Sequence, residues 1–444
     1  MKKKILIIFL IVILSILAIN SKKIYNFLPK ETKLIIKKEF IDSYEGLSGN
    51  SKILVRALGL EPFKHLQERY KRTNPKIENL NNDYNVKFLP KTQYGKFNLS
   101  TLRVNFKKKG DLKKDTGYSF FQPFYLEIFE EKLIIINNDG EVLFLSLEKL
   151  FKEKNIDLET ETIKSNLKFS KVLGTLVYND KIFISYLNKE NNCQKYSIAS
   201  SEVNFDKLKF KNIFTSNACG TQLNAGRMKI FNHNGKVGLL ATMGGEGINQ
   251  PTNNPQDLNS DIGKILFIDL ETKEKIIFSS GHRNPQGLLV EGKIIISTEH
   301  GPQGGDEINR IIFGKNYGWP IASYGKQYSH VKKEIGKEYL NSHSLNGFEE
   351  PIYSFVPSIG ISQIIKVPNE FSKKWQNNHM LSSLNGASLY RIKFNDAFNG
   401  ITYIEKIFID RRIRDLKYSK RNKAFILALE DWQEIGILKP VLDN

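Results

Sequence analysis

Cysteine is almost missing from this sequence. Cys193 and Cys219 are the only two among 444 residues, so one internal disulfide at most is available. Acidic residues are short as well: 47 stand against 66 lysines and arginines, which leaves a formal net charge of +19. Such a surplus, when concentrated, attracts nucleic acid or anionic lipid. Here the lysines are spread along the whole length and no recognisable nucleic-acid-binding module accompanies them. The charge is therefore read as a solvated lysine-rich surface, and no nucleic-acid partner is expected. The composition is not that of a disordered chain, because 29 Phe, 18 Tyr and a hydrophobic content of 40% supply ample surface to bury. A chain of this length can build a large core, as one big all-β domain or two smaller ones.

The clearest local signal is at the N-terminus. Lys2, Lys3 and Lys4 precede an apolar run over residues 5–19 that only Ser15 interrupts, and Lys22 and Lys23 follow it. A basic flank before an apolar core is the pattern of an export signal. No small-x-small cleavage site follows, since Ala18-Ile19-Asn20 ends in a polar residue. The segment is read as an uncleaved signal-anchor over residues 1–23, although the run is short of the ~20 residues a spanning helix usually needs. The lysine cluster holds that end in the cytoplasm. The rest of the chain is then expected in the cell envelope, on the periplasmic side of the membrane. In that oxidising setting a Cys193–Cys219 disulfide is the expected state, with two buried thiols as the alternative.

Residues 24–84 read as a stem, partly helical, with no chemistry of their own. From residue 85 to 444 the pattern is all-β. One module recurs: a polar turn, a lysine, then an apolar run. It stands as Glu131-Lys132-Leu133-Ile134, Asp180-Lys181-Ile182-Phe183, Gly235-Lys236-Val237 and Gly292-Lys293-Ile294-Ile295. Weaker copies are Asn378-His379-Met380-Leu381 and Asn422-Lys423-Ala424-Phe425. The lysines of the first four copies are 49, 55 and 57 residues apart. Repeats of ~40–50 residues with several strands each are the mark of propeller blades. Six copies predict a six-bladed β-propeller carried on the membrane-anchor helix and short stem. Residues 264–278 predict a hairpin, and 388–394 alternate as a strand should.

Chemistry-bearing residues crowd into one region. Gly281-His282-Arg283-Asn284-Pro285-Gln286-Gly287 precedes a predicted strand. Glu299-His300-Gly301-Pro302-Gln303-Gly304-Gly305-Asp306-Glu307 follows it, and Asn316-Tyr317-Gly318-Trp319-Pro320 comes soon after. Arg283 offers a rigid fork of donors suited to carboxylates. Gly301 and Pro302 fall in an irregular turn whose carbonyls suit a hard cation, and Asp306 and Glu307 add carboxylates of the kind Ca²⁺ takes. The same residues can instead cap and staple blade edges, and the residues alone leave both readings open.

These segments resemble the signature run of the glucose/sorbosone dehydrogenase family, and flanking matches extend the likeness over about residues 215–430. The resemblance implies a propeller whose central face holds pyrroloquinoline quinone with Ca²⁺ as Lewis acid, and an oxidation of an aldose or related alcohol in the cell envelope. It implies that the Gly301 and Pro302 carbonyls hold that Ca²⁺ and that Arg412 and Arg414 pair with cofactor carboxylates. Arg283 and Asn284 then lie beside the quinone ring and Gln250 orients substrate. Asp306 and Glu307 serve a second, structural Ca²⁺ or cap the turn, and His282 and His300 are structural hydrogen-bonders.

The chain departs from the family pattern at three places. The family's catalytic histidine stands where this sequence has Leu223, which cannot accept a proton. Gly245 stands where an aspartate is usual, and Asn385 where a lysine is. Loss of the base leaves two expectations: a dehydrogenase with impaired or altered catalysis, or a non-enzymatic propeller that binds a ligand or a protein. His233 is a weak substitute for the base, since it falls in a predicted solvent-exposed turn.

Overall fold

The computed structural model describes residue 92, residues 97–104, residue 106 and residues 123–440, apart from 153–156, 159, 168, 191–192, 221–222, 246–253, 328–337 and 432. The chain divides into two units, Met1–Leu80 and Asn81–Asn444. The expected anchor and stem, residues 1–84, and Gln250 all lie outside the described residues. Among the described residues no helix is long and apolar enough to cross a membrane.

In the first four blades the recurring module is a tight hairpin, while in the fifth the first two strands are joined by residues 367–378 and in the sixth by four residues. At Asn179-Asp180 and Asn234-Gly235 both turn residues have positive φ, and the flanking residues Tyr178↔Lys181 and His233↔Lys236 pair directly. Two-residue turns of this hand match the twist of the strands they join, and Asn, Asp and Gly tolerate the left-handed backbone they demand. Each hairpin joins the first strand of a sheet to its second.

Six sheets result. The chain begins with β1 (Phe97–Val104). Then come β2 (Phe124–Phe129), β3 (Lys132–Asn137), β4 (Val142–Ser146), a short helix α1 (Leu147–Lys152), the two-residue β5 (Asp157–Leu158) and β6 (Glu161–Ser165). The second sheet holds β7 (Lys171–Tyr178), β8 (Lys181–Glu190) and β9 (Cys193–Glu202). The short β10 (Lys207–Leu208) returns to the first sheet, and β11 (Lys211–Thr215) completes the second. The third is β12 (Ala225–His233), β13 (Lys236–Met243), β14 (Lys264–Asp269) and β15 (Lys275–Ser280). The fourth is β16 (Pro285–Glu291), β17 (Ile294–Glu299), β18 (Asp306–Arg310) and β19 (Tyr353–Phe355). The fifth is β20 (Ile361–Lys366), β21 (His379–Ser383), β22 (Ser388–Phe394) and β23 (Ile401–Phe408). The sixth is β24 (Ile413–Ser419), β25 (Ala424–Leu429) and β26 (Glu434–Pro440), completed by β1, which pairs antiparallel with β26 from Phe97↔Pro440 to Arg103↔Glu434. The expected hairpin is β14–β15, and the expected strand is β22.

The six first strands β2, β7, β12, β16, β20 and β24 pack in succession, and β24 meets β2 to close the ring. Both faces of each sheet are apolar because each is covered by a neighbour. Six core clusters fill the six gaps. One packs Leu126, Ile135 and Leu143 on Ile426 and Ile435, between the first and last blades. Another packs Leu173 and Phe183 on Met228 and Leu266, between the second and third. The protein is thus an all-β six-bladed propeller whose ring is closed by pairing an early strand with the last.

The six first strands start at one end of the central channel, and the second strands finish there. The residues just before or at the start of a first strand therefore meet those just after a second strand. Lys171, Leu223-Asn224, Arg283-Asn284 and Arg412–Arg414 belong to the first kind; Gly244-Gly245, Glu299–Gly301 and Glu430-Asp431 belong to the second.

Candidate functional site

At this mouth the residues singled out from sequence are joined by hydrogen bonds. Glu430, fully buried just past β25, accepts from Arg412 Nε at 2.8 Å and from Arg414 Nε at 2.7 Å. Arg414 Nη1 donates to Gln286 Oε1 at 3.0 Å, and Gln286 Nε2 donates to Asn284 Oδ1 at 2.7 Å. Asn284 Nδ2 lies 3.4 Å from His300 Nδ1, and Arg283 Nη1 donates to the His300 carbonyl at 2.8 Å. Arg283 also lies over the Trp319 ring, 5.2 Å from its centroid. Arg283, Asn284, Arg412 and Arg414 thus come from two blades to one end, beside the turn that holds Gly301 and Pro302.

The electrostatics follow from burial. Burial alone would raise the Glu430 carboxyl, but Arg414 and Arg412 outweigh it and hold the group below its ordinary value. Burial pulls His300 down to about 4 against the opposing charge of Asp306, and Arg414 and Arg283 add to the fall, so its ring is neutral near pH 7. Below the mouth, Arg227 locks blades together: Nη1 pairs with Asp415 at 3.1 Å, Nε donates to the Gln286 carbonyl and Nη2 to the Arg414 carbonyl.

A second network shapes the turn before β16. Glu299 Oε2 meets His282 Nδ1 at 3.0 Å, while Oε1 accepts from the backbone amides of Arg283 and Asn284. Ser279 Oγ lies 2.8 Å from His282 Nε2, so the imidazole is consumed by structure. Asp306 spends its carboxylate on the Gly301, Ile359 and Ile361 amides and the Ser358 hydroxyl, which fixes the Gly301 turn. Glu307 is buried, accepts from Asn309 Nδ2 at 3.2 Å and lies 3.5 Å from His343 Nε2. Burial, reinforced by Glu299, raises its carboxyl well above the ordinary range. Among the described residues no three His, Cys, Asp or Glu side chains cluster to hold a metal ion. A cation at this end would depend on main-chain oxygens, and the Gly301 carbonyl accepts no hydrogen bond among the described residues.

Leu223 does not face the mouth. Its side chain is fully buried in the cluster between the second and third blades, with Leu173, Tyr196 and Met228. Asn224 is held instead: its carbonyl accepts from Gly244 N at 3.1 Å and from the Tyr196 hydroxyl. Gly244 has no room for a side chain, since a Cβ would come 2.8 Å from the Asn224 carbonyl oxygen and 3.0 Å from that of Arg283. His233 ends β12 and packs among the rings of Phe231, Phe267, Phe278 and Phe313. It stands at the far end of β12 from Leu223, and the strand from Ala225 to His233 alone spans about 26 Å at ~3.3 Å per residue, so it is no substitute base. Cys193 and Cys219 are bonded, with Cα atoms 5.6 Å apart, and tie the β8–β9 hairpin to the segment leading to Leu223. Asn385 lies in the turn between β21 and β22, against Gly360.

Two functional-end residues were invisible to motif reading. Glu430 stands at the end of ordinary-looking strand sequence. Lys171, the first residue of β7, reaches Asn224 Oδ1 with its Nζ at 2.7 Å. Burial, with Arg414 adding, pulls this amine down to about 8. The available signal was position alone, because each residue starts a first strand or ends a second one.

The family model described as Glucose / Sorbosone dehydrogenase matches residues 122–438. Aldose sugar dehydrogenase YliI of Escherichia coli K12 is 30% identical over 220 residues, 46% of this chain and 57% of that protein. The match thus spans little more than half the length of that relative. Among solved structures, the apo form of the soluble aldose sugar dehydrogenase from Escherichia coli superposes with a TM-score of 0.60 at 20% identity. It covers 77% of this chain and all of its own. The PQQ-bound aldose sugar dehydrogenase of Streptomyces coelicolor gives 0.54 at 18% identity, over 78% and 99%. At such identities the superpositions speak for the fold.

Proposed function

The chain belongs to the glucose/sorbosone dehydrogenase family, and from that premise we propose that it is a quinone-dependent oxidoreductase acting on the C1 hydroxyl of an aldose or a related alcohol. The observation that carries this reading is the bonded arc Arg412–Glu430–Arg414–Gln286–Asn284 beside the Gly301 turn. The residues present fit an anionic cofactor. Among the described residues Arg414 retains Nη2 without a partner and the Gly301 carbonyl accepts no hydrogen bond. Pyrroloquinoline quinone, when bound, supplies the two-electron oxidant, and Ca²⁺ supplies Lewis acidity. Arg412 and Arg414 would hold cofactor carboxylates, the Gly301 and Pro302 carbonyls would hold Ca²⁺, and Arg283 and Asn284 would border the ring. Gln250 keeps its proposed role toward substrate. The placement of the propeller outside the cytoplasm, tethered by residues 1–23, belongs to the same proposal.

The buried side chain of Leu223 favours a second reading, a propeller that binds a ligand without turning it over. One titration separates the two. Full-length protein is mixed with pyrroloquinoline quinone and Ca²⁺, and the cofactor's absorbance and dye-linked aldose oxidation are followed. Saturable uptake with sugar-dependent dye reduction supports the dehydrogenase, and uptake alone supports the binding protein. Arg414→Ala removes a charge-assisted contact to a carboxylate and should weaken uptake about tenfold or more. No uptake by the wild-type protein refutes both readings of the cofactor site.

A further inference from the structure

We propose that Lys171 is the proton acceptor of this site, reaching from the first strand of the second blade to the place that Leu223 leaves without a base. The assignment rests on the dehydrogenase reading above. Lys171 opens β7 and Leu223 lies two residues before β12, and these two first strands are neighbours in the ring. The lysine's Nζ is bonded at 2.7 Å to the side chain of Asn224, the residue that follows Leu223. The base function therefore moves from one strand start to the next, while the reactive nitrogen stays beside the same backbone segment.

The surroundings keep this amine available. No carboxylate among the described residues pairs with Lys171. Glu127, on β2 to one side, is bonded four residues further along β7, to Thr175, and to Lys417. Arg227, on β12 to the other side, is committed to Asp415. Glu430 is taken by Arg412 and Arg414, and Arg414 is the charge that bears on Lys171. Burial first and Arg414 second pull the amine down to about 8. On that basis about one molecule in ten carries a neutral amine at pH 7, and about half do at pH 8. A base with a pKa close to the working pH is the efficient choice.

The step balances without further reagents. The neutral Nζ takes the proton of the sugar's C1 hydroxyl and becomes an ammonium, which donates to the side-chain Oδ1 of Asn224. The C1–H bond would break with both its electrons toward the two-electron oxidant that pyrroloquinoline quinone would supply, and the C1–O bond would become a carbonyl, the sugar reaching the lactone level. The Lys171 proton leaves to solvent to restore the amine.

The experiment uses full-length wild-type, Lys171→Met and Lys171→Arg proteins, with two readouts. The first needs no cofactor: competitive acetylation of Lys171 between pH 6 and 11, read by mass spectrometry. A midpoint near 8 is expected, where solvent lysines titrate at about 10.4. A midpoint at the solvent value overturns the proposal. In the second, Lys171→Met should bind pyrroloquinoline quinone within about threefold of wild type while kcat falls ~10²–10⁴-fold. Lys171→Arg, which keeps the charge and cannot give it up, should fall equally. Wild-type turnover in Lys171→Arg, or cofactor affinity lost in Lys171→Met and restored in Lys171→Arg, would make the lysine a mere counter-charge and overturn the base. A wild-type protein that takes up no cofactor removes the dehydrogenase reading itself, which is a different failure from cofactor uptake with turnover indifferent to Lys171.

Discussion

Glu430 is the residue whose removal tests the site most directly. Its carboxylate is fully buried and bridges two arginines through their Nε atoms, at 2.8 Å and 2.7 Å. Glu430→Gln keeps the shape and deletes the charge, which leaves two guanidinium groups facing each other across a neutral amide. Breaking a buried pair by removing one partner costs about 3–5 kcal/mol. Water reaches both arginines, whose side chains are 18% and 13% exposed, so the lower end applies. At about 2 °C per kcal/mol for a domain of this size, Tm should fall by roughly 6 °C at pH 7. The pH dependence has a definite sign. The folded carboxyl lies below its ordinary value, so its stabilisation is complete above the unfolded value of about 4.3 and is lost as pH falls through the lower folded value. Melts followed by circular dichroism should show the gap between wild type and Glu430→Gln closing as pH drops below about 4. A variant within 1 °C of wild type at pH 7 (~0.5 kcal/mol), or a gap that widens in acid, refutes the argument.

Other perturbations follow from the same contacts. Cys193→Ser with Cys219→Ser should cost about 3 kcal/mol, since the bridge closes a loop of 26 residues; a melt in reducing agent should move wild type to the position of the double variant. Leu223→His should lower stability by about 2–3 kcal/mol, because it places an imidazole in the apolar gap between two blades. It should not raise turnover, and a gain in dye-linked oxidation would show that this position can still reach the mouth. Asp306→Asn leaves one of the two oxygens that receive four donors as an amide nitrogen. It should loosen the Gly301 turn and weaken Ca²⁺-dependent cofactor uptake about tenfold, as second-layer changes at a metal typically do, measured by absorbance titration.

The fold was legible because a polar turn before an apolar second strand recurs from blade to blade. In the second and third blades it is a two-residue Asn/Asp/Gly turn followed by lysine, which marks the hairpin between first and second strands. Such turns depend on neighbouring residues alone, so they can be read from a single sequence. Arg283, Asn284, Arg412 and Arg414 were legible for a different reason, the ordered run of motifs around them. Glu430 was not, because its role depends on two arginines 16 and 18 residues earlier across a sheet register. A glutamate at the end of an apolar strand looks like an ordinary exposed terminus until that register is known. Leu223 was read correctly as unable to take a proton, but its burial in the second gap was beyond reach, since strand direction before β12 is set by Gly244 and Tyr196 contacting Asn224.

The geometry also accounts for how the base can be lost without emptying the site of proton acceptors. In this propeller every first strand begins at the same mouth, so a side chain at one strand start is within a long side chain's reach of the next. Lysine has that reach, as the contact of Lys171 with Asn224 shows. A histidine at position 223 would have had to leave the gap between blades, whereas leucine fills that gap with Leu173, Tyr196 and Met228. Packing and chemistry compete at residue 223, and here packing has taken the position. On the proposal above, the site's proton acceptor comes from a neighbouring strand start. Around the ring, Arg283, Arg412 and Arg414 stay charged at any working pH, and His300 is neutral but lies against the Gly301 turn. Among the described residues Lys171 is the strand-start amine at the mouth whose protonation changes near pH 8, while burial pushes the Asp431 carboxyl just past β25 up to about 6, so the limb of the turnover profile near pH 8 is the one that should follow this amine.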